Sequence, residues 1–210
     1  MTEIADEIER VHRAVGSRPA GTEEARTVLL RRTYGAGVAD VWAAVTSPGR
    51  IGRWFLPVSG AFEAGGHYQL EGNAGGGILA CDAPRRLRLS WLFGPEPGFS
   101  EVEVRLAAEG SGRTAFELEH AAVVPEEFWG RFGPGAVGVG WDLALLGLGR
   151  YLADGGVDRA RAEAWQTSPE ALGFMTRSGE AWGAAYAASG ADPEAAAAAT
   201  AATIAFYTGT

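Results

Sequence analysis

Three histidines, His12, His67 and His120, are the side chains of this sequence best able to move protons near neutral pH. No two of them stand at metal-ligand spacing, and zinc needs three or four convergent nitrogen, sulfur or carboxylate ligands, so neither a metal nor another cofactor is expected. His120 closes an alternating run in which Thr114, Phe116 and Leu118 oppose Arg113, Glu117 and Glu119. That parity turns its ring toward the apolar side of a strand. There it could anchor a bound molecule, act as a general base, or simply bond to a carbonyl at the strand end. His67 has the parity opposite to Tyr68 and Leu70 and belongs on a rim. The single cysteine, Cys81, excludes an internal disulfide and reads as a small packed side chain. Glu117 and Glu119 alternate outward as a solvated edge, not as a carboxylate pair for glycoside chemistry. The run "EGNAGGG" (residues 71–77) lacks the lysine and hydroxyl residue of a phosphate loop and reads as a hairpin tip. Spacing alone assigns no catalytic residue.

These side chains must be held by elements that the apolar pattern defines. Ile4, Ile8, Val11 and Val15 recur at spacings of four, three and four, which predicts a helix over residues 2–15 stopped by Gly16, followed by a linker over 17–25. "RTVLLRRTY" (26–34) predicts a first strand. Val38 to Val45 fits a short helix, and Ser47-Pro48 opens a second one carrying Ile51, Trp54 and Phe55. Turn signals then recur every eight to twelve residues from 57 to 120, the mark of an antiparallel meander. In its last strands Leu87, Leu89 and Trp91 oppose Arg86, Arg88 and Ser90, while Val102, Val104 and Leu106 oppose Glu101, Glu103 and Arg105. A sheet apolar on one face needs a cover. Val137, Trp141, Leu145, Leu148 and Leu152 supply it by predicting one long helix within 125–152. Its glycines 138, 140, 147 and 149 each cost about 1 kcal/mol relative to alanine and read as room left opposite large rings. Beyond Gly155, "SPE" at 168 and "DPE" at 192 open two further helices, an alanine-rich hairpin. The expected organisation is an N-terminal helix and linker (1–25), a main domain (26–154) and a C-terminal helical extension (155–210).

A chain of 210 residues that is 47% hydrophobic can bury one sizeable core. A net charge of −8 without any basic stripe excludes nucleic acid and anionic membrane as partners, since both require clustered positive charge. The opening "MTEIADEIERVHR" lacks the order of a secretory signal, and no stretch approaches the roughly 18 apolar residues of a membrane span, so a cytoplasmic location is expected.

In order and spacing, "VWAAVTSPGRIGRWF" (41–55), "GGHYQL" (65–70), "DAPRRLRLSW" (82–91), "GRTAFELEH" (112–120) and Gly140-Trp141 resemble the SRPBCC/START superfamily. The branch they resemble is the one named after the activator of the heat-shock-protein-90 ATPase, over residues 27–152. The resemblance implies an α+β helix-grip fold: a curved antiparallel sheet wrapped on a long C-terminal helix, with an apolar cavity between them. Here it is accompanied by the N-terminal helix and the C-terminal helical hairpin. Chaperone-activating members of the branch carry a further N-terminal domain, for which residues 1–25 leave little room. The implied cavity walls are Trp54, Tyr68, Trp91, Phe93, Phe116, His120, Phe128, Trp129, Trp141 and Leu145. They suit a small hydrophobic or aromatic ligand, oriented by His120 or Tyr68 and not transformed. Two other functions fit the same residues. One is a cyclase/aromatase-like enzyme using a cavity histidine, a kind found elsewhere in the superfamily. The other is a protein-interaction or co-chaperone-like module, with a possible homodimer through the C-terminal helices. Exposure of Phe174, Met175, Trp182 or Tyr186 would mark a docking surface, whereas burial would make the tail structural.

Overall fold

The computed structural model describes residues 2–95, 98–156 and 159–210. After α1 (Thr2–Glu9) the chain forms β1 (His12–Ala20), β2 (Glu23–Tyr34), α2 (Val38–Thr46) and α3 (Pro48–Ile51). The meander follows as β3 (Val58–Gly60), β4 (His67–Leu70), β5 (Gly75–Asp82), β6 (Arg86–Ser90), β7 (Ser100–Ala108) and β8 (Thr114–Ala122). Helices α4 (Glu126–Phe132), α5 (Gly135–Asp154), α6 (Arg159–Gln166), α7 (Pro169–Ala188) and α8 (Pro193–Thr208) complete it. All eight strands form one antiparallel sheet in the order β1-β2-β8-β7-β6-β5-β4-β3. Its inner face supplies Val28, Leu30, Leu87, Leu89, Val102, Val104 and Leu118 to a core closed by Trp141, Leu145 and Leu148 of α5. This is the α+β helix-grip arrangement. Its outer face is a charged ladder in which Glu117 bridges Arg31 and Arg105, and Glu103 bridges Arg86 and Arg105. No single helix among the described residues is long and apolar enough to cross a membrane.

The N-terminal region departs from expectation. The helix ends at Glu9, and residues 12–20, expected as helix end and linker, form an edge strand hydrogen-bonded to β2 through a turn at Gly21, where φ is 65°. The reason is arithmetic. A spacing of four places Val11 and Val15 on one face of a helix and equally on one face of a strand, so that pair could not distinguish the two periods. Pro19 is tolerated because β1 is an outermost strand.

The expected single helix over 125–152 is two helices inclined at 64°, broken at Gly133-Pro134, where Gly133 has φ 56°. Its glycines leave no empty room. A Cβ on Gly138 would lie 2.3 Å from the Trp182 ring, and one on Gly147 would lie 2.6 Å from the Trp54 carbonyl oxygen. Bulk is missing from α5 because α7 and the α3 corner occupy that volume. The tail is therefore packed on the grip helix, with Phe174, Met175 and Trp182 buried and Tyr186 half-buried against Trp129. Serine and aspartate caps start it as expected: the Ser168 and Asp192 side chains accept from the Ala171 and Ala195 amides.

A buried ion pair joins these parts. Arg13 of β1 donates through Nε and Nη2 to the two oxygens of Asp142 on α5, at 3.0 Å each. Ser178 Oγ (2.5 Å) and Trp182 Nε1 (3.0 Å) of α7 donate to the same carboxylate. Both buried carboxylate oxygens thus have hydrogen-bond partners.

Candidate functional site

His120 stands near the end of β8, directly across from Val102 of β7. Ser100 begins β7 and shares the inward parity of the buried Val102, Val104 and Leu106, so its hydroxyl looks onto the inner face. Trp91 follows β6 and is pinned there by its amide, which donates to the Ser100 carbonyl at 2.8 Å. Trp141 descends from α5. Trp54 and Phe55 come from the corner after α3, where Trp54 Nε1 donates to the Ala44 carbonyl at 3.0 Å.

The rings form a continuous set. Trp91 lies 4.9 Å from Trp141, 6.3 Å from His120, 6.3 Å from Tyr68 and 6.4 Å from Phe55, centroid to centroid. Phe55 stacks on Trp54 at 5.5 Å, and Phe62 meets Tyr68 at 5.7 Å. Trp141, His120 and Tyr68 are buried, whereas Trp54, Phe55, Phe62, Trp91 and Ser100 are half-buried. The set thus runs from an accessible rim to a dry end.

Hydrogen bonding fixes the histidine's protonation. Trp141 Nε1 lies 3.1 Å from His120 Nδ1, and an indole nitrogen can only donate, so Nδ1 carries the lone pair. The proton therefore sits on Nε2, which donates to Ser100 Oγ at 2.8 Å. Burial lowers the pKa of His120 to about 4, so the ring is neutral at physiological pH. This wiring runs opposite to a serine nucleophile, whose hydroxyl must donate to an unprotonated histidine nitrogen. The remaining lone pair is already engaged by Trp141, so His120 offers no free base to a substrate. The arrangement can orient a molecule.

Other expected wall residues lie elsewhere. Phe116 packs edge-on against Tyr34 at 5.6 Å, and Leu145 is buried with its carbonyl accepting from Tyr34 Oη at 3.0 Å, deeper in the same apolar layer. Trp129 is buried on the tail side beneath Arg26 and beside Tyr186. Phe93 and Phe128 are 67% and 49% exposed and line no interior. They are apolar residues of a turn and of a short helix, where no alternation specifies a side. Tyr68 belongs to the ring set, but its hydroxyl donates to the Ser90 carbonyl at 2.9 Å, which leaves it no proton for a ligand. His67 is exposed, as its parity implied. Cys81 is half-buried, donates to the Phe62 carbonyl, and has its thiol pKa pushed up by burial and by Asp82 and Glu63, which disfavours the thiolate. Ser100 escaped the sequence reading, although its parity with Val102 and Val104 carried the signal. Two surface grooves, of about 870 and 680 Å³, lie at the sheet edge near α7 and between α1, α5 and α7. Their walls are mostly charged or alanine, and neither reaches Trp91 or His120.

Fold and ring set together define a helix-grip domain whose aromatic cluster ends at a neutral, hydrogen-bonded histidine. The chain belongs to the family described as activator of Hsp90 ATPase homolog 1-like protein, whose pattern matches residues 36–153. CalU16 from Micromonospora echinospora is 40% identical in its crystal structure, which covers 83% of this chain and 97% of its own, with a TM-score of 0.67. Its solution structure gives 38% identity, 85% and 96% coverage and a TM-score of 0.68, so the likeness reaches beyond residues 36–153. DynU16, a putative protein in the dynemicin biosynthetic locus, shares the fold at 22% identity over 62% of this chain and 48% of its own (TM-score 0.55). So does the Aha1 dimer from Colwellia psychrerythraea, at 17% identity over 61% and 97% (TM-score 0.52). No curated protein matches the chain.

Proposed function

We propose that this protein binds a small hydrophobic, aromatic molecule at the rim formed by Trp54, Phe55 and Trp91, with its inner end against Trp141 and His120. The observation that carries this reading is the half-burial of adjoining large rings at the mouth of the sheet–helix interior. Adjoining rings left partly open supply apolar walls, and small-molecule sites pair such walls with one or two fixed polar groups. The neutral His120–Ser100 pair supplies those polar groups. It favours orientation over proton transfer, because both ring nitrogens are engaged.

Native mass spectrometry of the protein purified from its own host, compared under gentle and unfolding conditions, tests this. A discrete small mass released on unfolding is expected. A bare chain under both conditions counts against a tightly held ligand.

A second copy is the partner favoured by one separate feature. Exposed Phe128 and Phe206 flank half-buried Phe132 where α4 meets α8, with centroids 5.1 and 5.7 Å from it. Light scattering of the wild type and of Phe206→Glu checks it: a dimer reduced to monomer by the charge supports self-association, and a wild-type monomer refutes it.

A further inference from the structure

We propose that Ser100 is the ligand-facing hydrogen-bond donor of this site and that it selects aromatic molecules bearing a carbonyl oxygen. The inference rests on the aromatic-ligand reading above and goes further by naming the group recognised.

Trp141 Nε1–H is spent on His120 Nδ1, and His120 Nε2–H is spent on Ser100 Oγ. The serine oxygen is thereby an acceptor, and its own hydrogen is left to point elsewhere. Among the described residues Ser100 Oγ has no hydrogen-bond partner other than His120. The neighbouring hydroxyl, Tyr68 Oη, has its hydrogen on the Ser90 carbonyl. Ser100 is half-buried at the start of β7 on the inner face, and its own carbonyl accepts from the Trp91 amide. It is therefore the one polar group of this ring set with a free donor and access to the rim. Because its oxygen accepts from a fixed N–H, its hydrogen is polarised outward, and the chain of three donors strengthens along its length. A ligand oxygen completes that chain. A ligand hydroxyl can accept the same hydrogen but brings an O–H that needs an acceptor of its own, and a pure hydrocarbon would strand the serine hydrogen at cost.

The test compares two rigid probes of nearly equal shape, 9-fluorenone and fluorene, which differ by one carbonyl, using calorimetric titration of the full chain. Wild-type protein is expected to bind fluorenone about ten-fold more tightly, the ratio produced by one net hydrogen bond. Ser100→Ala should erase the ratio by weakening fluorenone alone, and Ser100→Thr, which keeps the hydroxyl, should restore it. A wild-type ratio near one overturns the role of Ser100 while leaving the aromatic site standing. A ratio that persists in Ser100→Ala also overturns it and points to another donor. Failure of both probes to bind overturns the site and the proposal together.

Discussion

His120 is held neutral by burial, and that has a consequence for stability at acid pH. Between the ordinary histidine pKa of 6.5 and the value of about 4 in the fold, the unfolded chain binds a proton that the folded chain does not. Unfolding is therefore favoured as pH falls through this window, and the contribution of neutral His120, complete above the unfolded pKa, is lost on approach to the folded one. At 1.36 kcal/mol per unit the loss is about 3 kcal/mol. Asparagine at this position can still accept from Trp141 through Oδ1, where His120 uses Nδ1, but does not titrate. His120→Asn is expected to remove that much of the acid-side slope in urea unfolding curves. Curves for the two proteins that stay parallel from neutral pH to about pH 4 would contradict it. The histidine's side of the sheet was legible because three preceding residues alternate cleanly. Its bonds were not. Trp141 and Ser100 approach it only through tertiary packing: the side of Ser100 follows from Val102 and Val104, but the β7–β8 register that brings it to His120 does not.

The grip helix shows packing reversing a propensity argument. On propensity alone Gly138→Ala should stabilise by up to about 1 kcal/mol. The added carbon would meet the Trp182 ring at 2.3 Å, inside a core that cannot yield, and overpacking of that kind costs about 1–3 kcal/mol. Gly138→Ala is therefore expected to lower the melting temperature, while Gly173→Ala on α7, where nothing lies within 4 Å, should raise it. Thermal unfolding of the two variants settles the matter, and stabilisation by both would refute the packing account. Sequence could show that bulk was omitted from this helix, not whether a cavity or a neighbour took its place. The meander, the two corner helices and the tail hairpin were legible because their turns and caps are local. β1 was not, because its four-residue spacing suits helix and strand alike and its other marks, Gly16 and Pro19, resemble those of a linker.

At the scale of the molecule, the Asp142 carboxylate ties the edge strand, the grip helix and the tail into one body. Asp142→Ala strands the Arg13 charge in the interior, which typically costs about 3–5 kcal/mol. Hydrogen exchange of the wild type should accordingly show α7 as well protected as β8, and the variant should lose protection across α7 and β1 together. A tail that exchanges freely in the wild type would contradict this. On the sheet side of the same body Trp54, Phe55 and Trp91 stay half-buried, which is the basis of the proposed binding site. The most direct test is a titration of isotopically labelled protein with 9-fluorenone, followed through its backbone amide and indole N–H resonances. The expected shifts concentrate at the Trp54, Trp91 and Trp141 indoles and at the amides of Ser100 and His120. Unmoved resonances at these positions, or shifts confined to the grooves beside α1 and α7, would contradict it.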